Sequence, residues 1–502
     1  MNAHPERSRG TFDVVIIGSG FSGLGMAIAL QQEGKRSYVV LEKGAGVGGT
    51  WRENRYPGCA CDVPSHLYSF SFAQNPEWTR HYPGQKEILA YLERCADEHG
   101  VRPHCRFGIA ATACVFDEAT SRWEISTASG EAFSAGQLVL GVGALHQWKF
   151  PALPGRESFE GPQLHSAAWD ESISLEGKRV VVVGTGASAI QLVPSIAPRV
   201  KQLTVFQRTP AWIVPRHDAP ISRFARWLYR VAPCVMKLTR ARIYWRLEAA
   251  VVGFTRWPRL LGAAEWLGKR HLKSQVRDPA LQARLTPKYS AGCKRIIVSD
   301  DFYPAFNRPN VALESSEVKE VTPTGVVTPD GRHVECDVIA WCTGFEVGAS
   351  TLKVFGRGGK ELEAVWREGA HAYRGTTVAG FPNMYVLLGP NTGLGHSSII
   401  YMIESQIRFA MEHLRALDAA GAKSVEVTEE AEREFNAGLQ AKLPGTIWAS
   451  GCNSWYLDAH GKNTTLWPGT TFSFRKMTSA LDPRHILLSP AGERVGARAD
   501  EV

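Results

Sequence analysis

The sequence predicts an α/β fold with two Rossmann-like dinucleotide-binding domains, the second inserted in the first, plus a helical insertion. Three observations predict it. The apolar run Asp13-Val-Val-Ile-Ile leads into Gly18-Ser-Gly20-Phe21-Ser-Gly23, and a second run, Arg179-Val-Val-Val-Val, leads into Gly184-Thr185-Gly186-Ala-Ser188-Ala189. Each is followed by a helix-like stretch and then by another strand-like stretch. The latter ends on a charged residue at the same offset from the first glycine, Glu42 in one case and Arg208 in the other. In such a unit the first glycine makes the sharp turn, the second lets a pyrophosphate approach the backbone, and the third lets helix and strand pack closely. Alanine is tolerated at the third position, where Ala189 stands. The helix start offers free N–H groups and a positive dipole end to phosphates. An ordinary strand–helix turn that binds nothing shares this outline; the flanking strand and helix patterns favour the nucleotide reading. The residue ending the second strand lies beside the adenosine ribose. A carboxylate at Glu42 hydrogen-bonds ribose hydroxyls, whereas Arg208 neutralises a 2′-phosphate. The pair predicted is FAD and NADPH.

The elements follow in order. Residues 1–147 read as the first part of the FAD-binding domain, closing on the strand-like Gln137-Leu-Val-Leu-Gly-Val-Gly143. A proline-rich joint, Phe150-Pro-Ala-Leu-Pro-Gly155, opens the first part of the NADPH-binding domain, 148–216. Residues 217–287 are a helical insertion, since aromatic and aliphatic residues recur there at spacings of three and four. The NADPH domain resumes over 288–348 and ends on Asp337-Val-Ile-Ala-Trp-Cys-Thr-Gly-Phe345. Residues 349–502 complete the FAD domain, with a mobile C-terminal loop and a fraying last dozen residues.

Composition bounds the class. At 502 residues the chain exceeds a single core, and 44% hydrophobic with 21% charged residues is that of a globular protein. The polar N-terminus lacks the apolar stretch of a signal peptide, so a cytoplasmic address is expected. Ten scattered cysteines are expected to be core or near-core thiols rather than disulfides. The net charge of +8 comes from the stretch Arg216 to Arg295, where basic residues outnumber acidic ones by about four to one. A solvated basic face explains it, and a membrane-surface helix is the sharper alternative. Nucleic acid is not expected, because no recognition motif accompanies the charge.

Further motifs carry the chemistry. After Glu42 and Lys43 come Gly49-Thr50-Trp51, Tyr56-Pro-Gly58, Asp62 and Tyr68. Flavin disulfide reductases carry a thiol pair in the corresponding stretch; here there is none, which argues against electron transfer to a disulfide. Between the two glycine turns lies Phe159-x-Gly161-x-x-x-His165-x-x-x-Trp169-Asp170. This segment resembles the fingerprint of type I Baeyer–Villiger monooxygenases, in the flavin-containing monooxygenase superfamily, and Gly49 to Asp62 resembles a second signature of that family. The likeness covers essentially the whole chain, more loosely in the basic insertion.

The resemblance implies oxygen insertion next to the carbonyl of a small apolar ketone, through a C4a-peroxyflavin, giving an ester or lactone. It places Lys294 with Arg208 and Thr209 around the 2′-phosphate and makes Arg295 the catalytic arginine, oriented by Asp62. A guanidinium that never deprotonates suits an anionic reactant, which lysine or histidine would protonate. The likeness also implies that Trp455 hydrogen-bonds the nicotinamide ribose and that Asn391, in Gly389-Pro-Asn-Thr-Gly-Leu-Gly-His-Ser398, stands near the flavin ring. That stretch departs from the Pro-Gly-Ser-Pro type of the cyclohexanone and phenylacetone enzymes, so their substrate range is not carried over. His165 is read as a loop residue coupling NADPH binding to flavin chemistry, and Trp169 as packing of the joint. Three readings compete with ketone oxygenation. They are a flavin oxygenase of sulfur or nitrogen, a non-catalytic nucleotide sensor, which Asp62 and Arg295 argue against, and a disulfide reductase.

Overall fold

The run ahead of the first glycine turn forms the strand Arg9–Ile17, parallel to Tyr38–Glu42 on one side and to Ala132–Leu140 on the other. Val14 and Ile16 face one apolar core and Val15 and Ile17 the other, which is why the last four residues of the strand are apolar in succession rather than alternating. The computed structural model describes residues 9–346, 351–452, 454–458 and 460–490. The boundary expected at 348, the terminal dozen residues, and positions 453 and 459 of the C-terminal loop lie outside these.

The first sheet runs in the order Lys353–Phe355, Ala111–Asp117, Arg122–Thr127, Ala132–Leu140, Arg9–Ile17, Tyr38–Glu42, Cys105–Phe107, and Met384–Val386 also pairs with Ala132–Leu140. Two strands from beyond residue 350, Lys353–Phe355 and Met384–Val386, therefore return to the sheet that residue 9 begins. In between, the chain builds a second sheet, all parallel, in the order Val311–Glu314, Gln202–Phe206, Arg179–Val183, Val338–Trp341, Gln163–His165. This is the predicted nesting of one dinucleotide fold within another. The outgoing and returning connections touch: the N–H of Glu346 donates to the carbonyl of Gln147 at 2.9 Å, and Lys149 pairs with Glu346.

Each glycine turn opens a helix, Phe21–Glu33 and Ala187–Ile196. The first stops where Gly34 adopts the left-handed conformation (φ 67°), a cap that disfavours other residues. The long helix Ile399–Ala420 packs against Phe21–Glu33, so closely that a Cβ on Gly25 would lie 2.8 Å from Ile407.

The basic segment is helical as expected: Arg223–Val231, Pro233–Thr255, Gly262–Gln275 and Pro279–Leu285. Ser222 and Asp278 cap two of these by accepting backbone N–H groups. Two side chains lock the insertion down. The Arg240 guanidinium donates to the carbonyls of His66 (2.7 Å) and Ser69 (3.0 Å), so it fixes the turn that carries Tyr68. Glu248, the only carboxylate between Asp218 and Glu265, is buried, accepts from Thr471 Oγ1 at 2.8 Å and lies 3.5 Å from His396 Nε2. Burial opposes its charge, but His396 and Thr471 prevail and hold it below the usual carboxylate range. Among the described residues no helix is long and apolar enough to cross a membrane.

One expectation is corrected. Cys293 and Cys452 form a disulfide across a separation of 159 residues, whereas the cysteines were expected to stay thiols. The pairing is produced by tertiary packing, which brings the C-terminal loop onto the segment before Lys294-Arg295.

Burial also sets an acid limit on stability. His66, His165 and His413 are each pushed down to about 4, chiefly by desolvation. The unfolded chain takes up these protons from about pH 6.5 downward, while the folded chain resists until about pH 4, so each step down in that window favours unfolding. The contribution of these three histidines is expected to be level above about pH 6.5 and to fall progressively toward pH 4. Thermal melts across that range check it; a melting temperature unchanged at pH 4.5 would contradict it.

Candidate active site

The two glycine turns use their glycines differently. Gly18 has φ 96° and a Cβ there would lie 2.7 Å from the Gly141 carbonyl; Gly184 has φ 111° and would meet the Cys342 carbonyl at 2.5 Å. These first glycines let the returning strands close in. Gly20, by contrast, faces only the Gly49 Cα at 3.7 Å, and nothing lies within 4 Å of a Cβ on Gly186. The middle positions border open space, as a docking pyrophosphate requires. A Cβ on Gly23 would collide with the Gly18 carbonyl, whereas Ala189 fits, fully buried, at the corresponding place in the second turn.

Glu42 is buried on the wall of a cavity of about 300 Å³ lined also by Gly44, Gly49, Arg52, Arg55 and Trp169. Its carboxylate accepts from the Ser19 N–H (2.8 Å), the Ser19 hydroxyl (2.7 Å) and the Gly44 N–H (2.7 Å). A carboxylate has about four lone-pair sites, so this clamped group retains capacity for a ribose hydroxyl. Lys43 is half-exposed and 3.4 Å from Glu53, itself on the cavity wall; the Thr50 side chain is exposed at the start of the short helix Thr50–Glu53. Trp169 lines this cavity as well as packing beneath it, a place its reading as a joint residue did not anticipate.

Beyond Gly49, the Trp51 indole N–H donates to the Tyr68 hydroxyl at 3.0 Å, and Tyr68 meets Phe21 edge-on with centroids 5.2 Å apart. Burial drives the Tyr68 phenol well above its ordinary value, so it stays protonated. Gly58 has φ 82°, and any side chain there would strike Ser195 and the Gln191 carbonyl. This glycine lets the first domain abut the helix Ala187–Ile196. Tyr56 reinforces the contact by donating to Gln191 Oε1 at 2.8 Å.

At the second turn the Thr185 hydroxyl donates to the Thr209 carbonyl at 3.0 Å. Arg208 is exposed. Lys294 sits over the Tyr289 ring at 5.2 Å, and its pKa is lowered by burial and then by the charge of Arg208. Two cations are thus held near enough to repel each other. The next residue reaches the other way: Arg295 Nη2 lies 2.5 Å from Asp62 Oδ2, the arginine retaining 41% and the aspartate 19% of side-chain exposure. Asp62 raises the Arg295 pKa, outweighing desolvation, so the guanidinium carries its charge at every working pH.

Sequence reasoning missed Tyr456 here. Its phenol is buried, pushed up to about 12, and interacts electrostatically with Arg295 and Asp62. Trp455, with 47% exposure, leans on Tyr456 with ring centroids 4.5 Å apart. Asn391 adopts φ 54° and its amide donates to the carbonyls of Asn463 (2.9 Å) and Leu466 (3.0 Å). It therefore laces its loop to the C-terminal segment, and only its buried Oδ1 is free of a protein partner. His165 ends the strand Gln163–His165 rather than lying in a loop. It is buried, stacks on Trp148 at 4.8 Å, accepts from the Ala167 N–H at 3.1 Å and faces the Thr343 hydroxyl at 3.4 Å. The open middle glycines, the clamped Glu42 and the Arg208–Lys294 pair fit two dinucleotides, one of them phosphorylated on its ribose.

Fold and site together define an oxidoreductase that handles two dinucleotides around a permanent cation. A family model described as pyridine nucleotide-disulphide oxidoreductase matches residues 15–230, but the thiols available there, Cys59, Cys61, Cys95, Cys105 and Cys114, are all raised by burial and poorly suited to disulfide chemistry. A Baeyer-Villiger monooxygenase of Streptomyces coelicolor is 48% identical over 493 residues, covering 97% of this chain and 95% of that one. Another, from Pseudomonas aeruginosa, is 46% identical over 483 residues, covering 95% and 92%. Among solved structures, cyclohexanone monooxygenase from Rhodococcus sp. Phi1 bound to NADP+ superimposes with a TM-score of 0.87 at 30% identity, covering 96% of this chain and 100% of that one. The chain belongs to the Baeyer–Villiger monooxygenase family.

Proposed function

We propose that the protein is an FAD-dependent, NADPH-consuming monooxygenase that inserts one atom of O₂ next to the carbonyl of a small apolar ketone, giving an ester or lactone. Bound FAD, reduced by NADPH, supplies the activation of O₂. The chain's own residues do the rest. Gly20 and Gly49 give the FAD pyrophosphate access to backbone in a turn whose close packing Gly18 and Gly23 permit, and Glu42 takes the ribose hydroxyls, with Thr50, Trp51 and Tyr68 bordering the flavin side. Thr185, Gly186 and Ser188 receive the NADPH pyrophosphate in a turn whose close packing Gly184 and Ala189 permit, while Arg208, Thr209 and Lys294 hold its 2′-phosphate. Arg295 keeps a full positive charge where negative charge develops on reacting oxygen, and Asp62 sets its orientation. Trp455 covers the nicotinamide end, and His165, neutral and wedged between Trp148 and Thr343, links the two sheets.

The observation that carries this reading is the Arg295–Asp62 pair, held beside the Tyr68 and Tyr456 phenols. The test is mass spectrometry of products from linear, cyclic and aryl ketones incubated with enzyme, FAD, NADPH and ¹⁸O₂. One labelled oxygen in an ester or lactone is expected. Sulfoxides or N-oxides from a parallel sulfide and amine panel, with no ester, would overturn it.

A further inference from the structure

The helix Arg223–Val231 buries none of its residues. Phe224, Trp227 and Val231, spaced to share one face, retain 68%, 50% and 58% of their exposure. An amphipathic helix on a globular protein ordinarily turns that face inward. The adjoining helix Pro233–Thr255 repeats the pattern: Leu238 and Trp245, two turns apart, are 70% and 58% exposed, and Trp245 approaches the 54%-exposed Phe472 with centroids 6.4 Å apart. Exposed apolar residues in such number on one subdomain mark an interaction surface.

The charges say what it meets. Exposed Arg223, Lys237, Arg242 and Arg246 stand among these residues, and none has a carboxylate within ion-pair distance among the described residues; Arg230 alone is matched, by Glu77. The lone carboxylate of this stretch, Glu248, is turned inward to Thr471 and His396. The outer face thus offers aromatic rings, aliphatic side chains and cations, and among the described residues its ion-paired anion is Glu77, matched to Arg230. A second copy of this chain would set cation against cation. Nucleic acid would satisfy the arginines and leave the apolar rings against water. An anionic bilayer surface satisfies both, with phosphates for the cations and the headgroup boundary for tryptophan. We propose that the outer face of residues 223–246, with Phe472, docks reversibly on anionic lipid membranes, lying on the surface without spanning it.

The test is flotation of the full-length holoenzyme with vesicles carrying roughly one third phosphatidylglycerol, against pure phosphatidylcholine. Preferential binding to the anionic vesicles by about tenfold or more is expected, weakened by salt, with a blue shift of tryptophan emission. The variant Phe224→Ser/Trp227→Ser/Leu238→Ser should lose binding by about tenfold or more, with ketone turnover in solution unchanged. Arg242→Glu/Arg246→Glu should lose the preference for anionic lipid. Absence of vesicle binding would overturn the proposal, as would equal binding by the serine variant or self-association that this variant abolishes.

Discussion

Replacing Arg295 with alanine is expected to reduce ester formation by about 10²–10³-fold or more, the usual loss when a group stabilising a developing oxyanion is removed. NADPH oxidation should continue, with the electrons appearing as hydrogen peroxide. The expectation rests on the permanence of the charge. Asp62 stabilises the guanidinium against the desolvation of its surroundings, so no proton is available from it at any working pH. Arg295→Lys is the informative companion. An ammonium restores a point charge, but one that can release a proton and cannot match the guanidinium's fixed fork, so the peroxide-to-ester ratio should stay high. The measurement is the yield of ester per NADPH consumed. An alanine variant with wild-type yield would remove Arg295 from the chemistry.

Removing either cation at the second turn should shift coenzyme choice. Lys294→Ala or Arg208→Ala is expected to lower kcat/KM for NADPH by about 10- to 100-fold, corresponding to one lost charge-assisted hydrogen bond, while NADH is nearly unaffected. The lowered pKa of Lys294 is the physical reason: burial and the Arg208 charge penalise its ammonium until an anion arrives. Truncating one cation relieves the other, so the double variant should lose less than the product of the single losses. Equal effects on NADPH and NADH would show that the pair does not read the 2′-phosphate.

Much of the nucleotide architecture was legible because it depends on neighbours in sequence. The turns at Gly18 and Gly184, the apolar strands before them and the opposite charges at Glu42 and Arg208 are local patterns with local causes. The adjacency of Lys294 and Arg295 was visible too; that they reach toward Arg208 and Asp62 respectively was supplied by the resemblance, not by spacing. What stayed hidden is set by packing between distant segments. Tyr456 meets Arg295 only because the C-terminal loop folds back, and Cys293 meets Cys452 for the same reason. Glu248 left one faint signal, a single acid in a long basic stretch, but nothing in the sequence pointed it at His396. His165 was misplaced in a loop because the strand containing it is only three residues long, too short for alternation to register.

The paired connections between the sheets have a mechanical consequence. Backbone leaving the first sheet and backbone coming home run side by side, joined through Gln147, Lys149 and Glu346, with the buried imidazole of His165 stacked on Trp148 close by. Two ropes tied together act as one pin. Any displacement of one half against the other would have to carry this knot along or break it, and would strain the Tyr56–Gln191 and Arg295–Asp62 bridges as well.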